Sequence, residues 1–287
     1  MSSSSAAGTL SVTRVTAGDH ACLGFDDDEA RWEIRATYAD IGLARGERVM
    51  FFTDPATTAA VAAEQLAACG LPAEEAIAAG RLVVINEVPG YDPESGFDPV
   101  ARAQTWVEVT NSARREGFSG VRALGDMGWA ADPGVDHDLL VDYEAGLTPL
   151  FADIGFTAIC EYDRRAFDDA LIDRMCVAHP KRVLHRLGAL DISRTDDGLR
   201  LAGDADLATR DAFDTALHAV LRVPGAATVL DLTELCFLDA HSAGLLVRLA
   251  VGLPEARQVE VRCRPLQAKV LRLCGATQVP QLVLGEG

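Results

Sequence analysis

ATVLDLTELCFLDAHSAGLLVRLA, residues 227–250, changes its hydrophobic period once, and that change sets the fold of the second half of the chain. Val229 to Leu232 is a continuous apolar run, the pattern of a strand buried on both faces. Thr233-Glu234-Leu235 reads as a turn, and Cys236-Phe237-Leu238 as a second apolar patch that ends at Asp239. From there the spacing is helical. Leu245 and Leu249 repeat at i and i+4, with Leu246 and Ala250 beside them, and Pro254 stops the helix. Asp239 stands at the N-cap, where a carboxylate accepts the otherwise unpaired N–H groups of the first turn. Between cap and helix lie small residues and one histidine: Ala240, His241, Ser242, Ala243 and Gly244.

This stretch resembles the signature of STAS domains, the fold of anti-sigma-factor antagonists, in which a D-S-S-G-like loop opens a helix. The resemblance covers about residues 190–284. It implies a surface that docks on a kinase-like anti-sigma factor, made here by Asp239, Ala240, His241, Ser242 and Gly244. In relatives a phosphoserine at this helix N-terminus breaks the docking by adding about −1.5 to −2 charges to a packed contact. Aligned without a gap from Asp239, the two hydroxyl positions fall on Ala240 and His241, and the glycine falls on Ser242. Ser242 is the one hydroxyl left to phosphorylate, and it also reads as an ordinary first-turn serine.

At 287 residues the chain is long enough for two domains. Its net charge is −17 with only two lysines, Lys181 and Lys269, so it lacks the basic face that nucleic acid requires. No apolar run approaches the ~18 residues of a membrane helix, and MSSSSAAGTLS is no signal peptide. A cytoplasmic protein is expected. Its seven cysteines have no C-x-x-C spacing and should be reduced.

Residues 1–10 read as a disordered tail. Helical spacing runs through Ala30, Ile34, Tyr38 and Ile41; apolar runs at 49–52, 82–85, 121–124 and 156–160 read as strands. Helices are expected near 55–69, 98–115, 136–150 and 168–178, with a turn-rich loop at 87–96. Strands alternating with helices imply a parallel sheet. His179-Pro180 ends this unit, since Pro disfavours helix at the residue before it. The second half opens with strands at 189–194 and 199–202 around Asp197-Gly198, a hairpin dipeptide that tolerates positive φ. The expected order is an α/β domain over residues 11–183 and a smaller α/β domain over 187–287.

The first domain has no G-x-x-x-x-G-K-[ST] loop; the chain contains no Gly-Lys at all, and HACLGFDDDE (20–29) sets carboxylates where phosphates would sit. Three other groups share its loops: His20 and Cys22; Asp126 and Trp129 in GDMGW; and Cys160, Glu161 and Tyr162 in CEYD. Loops after parallel strands share one sheet edge, the usual place for a ligand, so these residues are expected to converge there. The groups, in this order and followed by His179-Pro180, resemble the MEDS family, the sensory domain of methanogen and methylotroph regulators, over about residues 17–183. The resemblance implies a RecA-like core that has lost its phosphate loop and senses a small molecule. A His-x-Cys pair joined by Cys160 or Glu161 would suit zinc, but the spacing is that of no known cluster, and a buried hydrogen-bonded pair is the simpler reading. No metal or cofactor is assigned. The sequence thus points to a non-enzymatic regulator, a sensor joined to an anti-sigma-factor-antagonist domain. The alternatives are a nucleotide- or small-molecule-processing enzyme on the same core, or a ligand-free scaffold.

Overall fold

The computed structural model describes residues 8–92, 94, 96–221 and 228–286. It divides into two compact units, one formed by Gly8 with Val12–Leu187 and one by Thr9–Ser11 with residues 188–286.

The first unit, with β1 (Gly8–Leu10) added to its sheet, carries strands β2 (His20–Phe25), β3 (Arg48–Phe52), β4 (Leu82–Ile85), β5 (Tyr91–Asp92), β6 (Gly96–Phe97), β7 (Val121–Asp126), β8 (Phe156–Asp163) and β9 (Lys181–Val183). Its helices are α1 (Asp28–Ala44), α2 (Ala59–Ala68), α3 (Glu74–Ala78), α4 (Pro99–Arg115), α5 (His137–Ile154) and α6 (Asp169–Ala178). Seven strands join in the order β1-β9-β2-β8-β7-β3-β4, and β5 and β6 pair by themselves. Every pairing from β9 to β4 is parallel. This is the α/β parallel sheet expected from the alternating pattern. Helices α1 and α2 pack together on one side of it, and α4, α5 and α6 on the other. Aspartates at 27, 98, 136 and 168 cap α1, α4, α5 and α6, each carboxylate accepting first-turn N–H groups.

Three expectations need correction here. Gly8–Leu10 is a strand, its Gly8 N–H donating to Pro180 O, so the tail is not wholly disordered; residues 1–7 lie outside the described residues. His20 and Cys22 lie within HACLGF, a buried strand in the middle of the sheet, and not on a loop, all six residues being covered. The strand at 156–163 is not the last of this unit, since β9 follows His179-Pro180 and pairs with β2.

The second unit is a single sheet in the order β10-β11-β12-β13-β14, with β10 (Leu190–Arg194), β11 (Gly198–Ala205), β12 (Thr228–Leu238), β13 (Val259–Cys263) and β14 (Leu282–Glu286). Only the β10–β11 pairing is antiparallel. Helices α7 (Arg210–Leu221), α8 (Ala240–Val251) and α9 (Pro265–Leu273) bury Phe213, Leu217, Leu246, Ala250 and Leu271 against Leu201, Leu230, Leu232 and Val261. Thr233-Glu234-Leu235 is not a turn. It lies inside the continuous β12, where the register with β11 jumps between Arg200/Asp231 and Ala202/Glu234. The Asp231 carboxylate accepts from Thr233 N and Oγ1, closing a bulge that keeps the ladder intact.

Candidate functional site

The period of two along β8 sorts its side chains between the two layers of helices. Cys160 faces α5, and Glu161 faces α1. On the α5 side, Leu140, Tyr143, Glu144, Leu147 and Phe151 form one buried stripe, which places the Glu144 carboxylate in the middle of an apolar helix face. Opposite it stand His20 at the start of β2 and His179 at the end of α6, where Pro180 has stopped the helix. All four side chains are buried, and one donor atom from each lies within 4.8 Å of every other.

Glu144 Oε2 is 3.1 Å from His20 Nε2, 3.5 Å from His179 Nε2 and 3.7 Å from Cys160 Sγ. His20 Nε2 and Cys160 Sγ are 3.6 Å apart. Behind the rings, His179 Nδ1 donates to Met175 O at 2.7 Å, and His20 Nδ1 lies 3.4 Å from Thr148 Oγ1. Burial pushes His179 down to about 3, with His20 beside it adding to the effect against Glu144. Burial acts to raise Glu144, but the His20 hydrogen bond and the two imidazoles bring it below the ordinary carboxyl range. Burial and Glu144 together push the Cys160 thiol up. A cavity of about 20 Å³ adjoins the group, lined by Glu144, Cys160, Trp106, Tyr143, Phe151 and Phe156. It has room for about one water molecule.

The residues expected to share one pocket at the carboxyl edge of the sheet are divided instead. His20 and Cys160 meet, near the beginning of β2 rather than at its end. Cys22 lies on the same face but turns its thiol to Cys176, 3.3 Å away. Tyr162 is fully buried against Phe167, and its hydroxyl has no hydrogen-bond partner. Glu161 and Asp126 belong to the other face, bound to Arg31 and Arg35 of α1: Glu161 Oε2 is 2.6 Å from Arg35 and 2.7 Å from Arg31, and Asp126 Oδ2 is 2.7 Å from Arg31. Trp129 packs between Tyr91 and Phe97, with the Arg102 guanidinium 4.9 Å from its ring, so its aromatic surface is already covered. Sequence reading missed Glu144 entirely and took His179 as a boundary and a piece of the family motif, not as a site residue. The available signal was a glutamate at a core position of an otherwise apolar helical stripe.

In the second unit, Asp239 caps α8, its carboxylate accepting from Ser242 N at 2.6 Å. Burial acts to raise the Asp239 carboxyl, but the Ser242 backbone and side chain and the nearby Arg210 bring it below its ordinary value. Ala240 and His241 are exposed, and Gly244 is half-buried. Ser242 is fully buried, with its Oγ beside the cap carboxylate that it helps to hold low. A hydroxyl so placed is not presented to a kinase while the helix stays formed. Three large apolar side chains crown the same edge, where the parallel strands β11, β12 and β13 end: Leu207 (73% exposed), Phe237 (52%) and Leu266 (64%). Among the described residues no helix is long and apolar enough to cross a membrane.

Residues 19–180 match the family described as MEDS, the MEthanogen/methylotroph, DcmR Sensory domain, and residues 189–284 match the family described as Mlab, STAS domain. No curated protein matches the chain. Among solved structures, it is similar to an anti-sigma factor antagonist from Mycobacterium paratuberculosis (23% identity, TM-score 0.29), over 33% of this chain and 83% of that one. It is also similar to the flagellar accessory protein FlaH from Methanocaldococcus jannaschii (10% identity, TM-score 0.41), over 64% of this chain and 76% of that one. A KaiC-like protein from the hyperthermophilic archaeon Pyrococcus horikoshii gives 13% identity and the same TM-score, over 64% of this chain and 77% of that one. The first match spans more than half of the sequence: the chain belongs to the MEDS family and carries a STAS domain behind its MEDS domain.

Proposed function

We propose that this protein is a signalling regulator without enzymatic activity, in which the MEDS domain responds to a small ligand and the STAS domain docks on a kinase-like anti-sigma factor. The order of the two family matches supports a regulatory role. The observation that carries the docking reading is the edge of the second sheet. There Phe237, Ala240 and His241 stand exposed around the capped start of α8, with Leu207 and Leu266 exposed on the neighbouring loop and helix. Exposed apolar side chains gathered at one edge and rimmed by polar groups mark an interaction surface. Small residues at 240 and 244 let a partner approach the helix end closely.

Control by phosphate on this loop is disfavoured. Positions 240 and 241 carry no hydroxyl, and the Ser242 hydroxyl is buried. Docking is then set by the attached MEDS domain rather than by a kinase. The experiment is a binding titration of the full chain against purified kinase-like anti-sigma factors, with and without ATP. Binding that persists through incubation with ATP supports the reading. Stoichiometric phosphate on Ser242 with loss of binding would show that the loop is itself the switch, and absence of binding to every such partner would end the docking assignment.

A further inference from the structure

Zinc held by two imidazoles, a carboxylate and a thiolate has bonds of roughly 2.0–2.3 Å in a tetrahedron, so its donor atoms lie roughly 3.3–3.7 Å from one another. Four of the six separations are 3.1 Å for His20–Glu144, 3.5 Å for His179–Glu144, 3.6 Å for His20–Cys160 and 3.7 Å for Cys160–Glu144, and all six lie within 4.8 Å. The four donors come from β2, α5, β8 and the end of α6, elements brought together only by the tertiary fold.

Hydrogen bonding alone leaves this group incomplete. A carbonyl can only accept, so the 2.7 Å contact from His179 Nδ1 to Met175 O puts the ring's proton on Nδ1. His179 Nε2 is then the lone-pair nitrogen. It is buried, lies 3.5 Å from the Glu144 carboxylate and has no hydrogen-bond partner among the described residues. A lone pair facing a carboxylate oxygen is repulsive unless a cation or a shared proton stands between them. Metal-ligating histidines characteristically donate their other ring N–H to a backbone carbonyl, as His179 does. A divalent ion with one carboxylate and one thiolate also leaves the buried group without net charge, which removes the main cost of burying Glu144.

We propose that His20 Nε2, Glu144 Oε2, Cys160 Sγ and His179 Nε2 form a four-coordinate site for one divalent transition-metal ion, zinc by its donor chemistry. On binding, the Cys160 thiol gives up its proton to solvent and the sulfur becomes a thiolate ligand; no oxidation or reduction is involved. Cys22 stays outside the donor set, paired with Cys176. The small cavity beside Glu144 and Cys160 is where an added water-sized ligand would reach the metal. This site stands independently of any docking by the STAS domain.

The test uses the full chain, produced in zinc-supplied and in cobalt-supplied minimal medium and then freed of loosely bound metal. Elemental analysis should find one ion per chain, and the cobalt form should show d–d absorption of tetrahedral intensity with a thiolate-to-cobalt charge-transfer band. Cys160→Ser should lose the charge-transfer band. His179→Gln should weaken metal retention by more than the roughly 10–100-fold typical of losing an outer-shell partner. Cys22→Ser should keep both metal and band. Wild-type protein carrying only trace metal from both media overturns the proposal, whatever the variants do. A band lost in Cys22→Ser but kept in Cys160→Ser overturns the assignment of ligands.

Discussion

Arg35 Nη2 and Glu161 Oε2 meet at 2.6 Å with both side chains closed off from solvent, while the preceding residue of β8, Cys160, faces Glu144 on the opposite side of the sheet. One residue step along the strand thus separates an ion-pair network from a cluster of metal-ligand type. On the network side, burial alone would raise the Glu161 carboxyl, but Arg31 and Arg35 outweigh it and hold the group at about 2 against an ordinary 4.5. A carboxyl depressed by folding binds its proton more readily in the unfolded chain. Its contribution is therefore complete above about pH 4.5 and is lost as pH falls towards 2. The amount is on the order of 3 kcal/mol. Denaturant unfolding of Glu161→Gln near neutral pH should show the first domain weakened by roughly 3–5 kcal/mol, because two arginines lose their buried partner. The gap to wild type should narrow as the pH is lowered through the acid range. A gap that does not change with pH would mean that the charge of Glu161 is not its source.

Gly198 is required by close approach and not by turn geometry. Its φ is not among the positive values in the chain, but a Cβ added there would stand 1.8 Å from Val229 O of the neighbouring strand. Gly198→Ala should destabilise the second domain by roughly 1–3 kcal/mol or more, since the obstacle is backbone and cannot rotate away. Asp197→Ala, at the neighbouring position of the dipeptide and free of that obstacle, should cost clearly less. Thermal melts of the two variants distinguish strand packing from turn chemistry as the reason for this dipeptide.

Much of the architecture was legible because it depends on local periods. The alternation of strands and helices, the change of period at Asp239 and the aspartate caps all sit in short windows of sequence. The site was less legible for a physical reason. His20 and Cys160 could be named from their motifs, but their partners Glu144 and His179 join them only through the packing of α5 and α6 on the sheet. A glutamate in the apolar stripe of α5 looks like a surface residue until the stripe is found to be buried. The same blindness made Glu161 a companion of Cys160. Adjacency in sequence puts two strand residues on opposite faces, and the Arg31 and Arg35 guanidiniums claimed Glu161 on the far side.

The cap of α8 separates two roles that the loop sequence confounds. Asp239→Ala removes the carboxylate that accepts from Ser242 N and should cost about 1 kcal/mol of second-domain stability. Ser242→Ala removes a buried hydroxyl that at most supplements the backbone hydrogen bond to the same carboxylate, so it should cost clearly less than Asp239→Ala. Denaturant unfolding of both variants checks this. A larger loss for Ser242→Ala than for Asp239→Ala would show that the hydroxyl holds the loop and that the carboxylate does not.

Phe237 offers the cleanest division between folding and docking. Its ring is 52% exposed at the end of β12, next to the cap residue and on the edge that also exposes Leu207 and Leu266. A surface substitution of this kind changes stability by roughly 0.5 kcal/mol or less. Phe237→Ser should therefore melt with the wild type. An exposed aromatic at the centre of a docking surface is instead the kind of side chain on which most of the binding energy rests, commonly about 2 kcal/mol or more. The same variant should then bind a kinase-like anti-sigma factor at least about 30-fold more weakly, and Ala240→Asp, which sets a carboxylate into the contact, should weaken it too. Arg194→Ala, exposed at the hairpin end of β10 on the opposite edge of the sheet, serves as the control and should leave binding unchanged. Equal affinity of wild type and Phe237→Ser would move the docking surface away from this edge of the sheet.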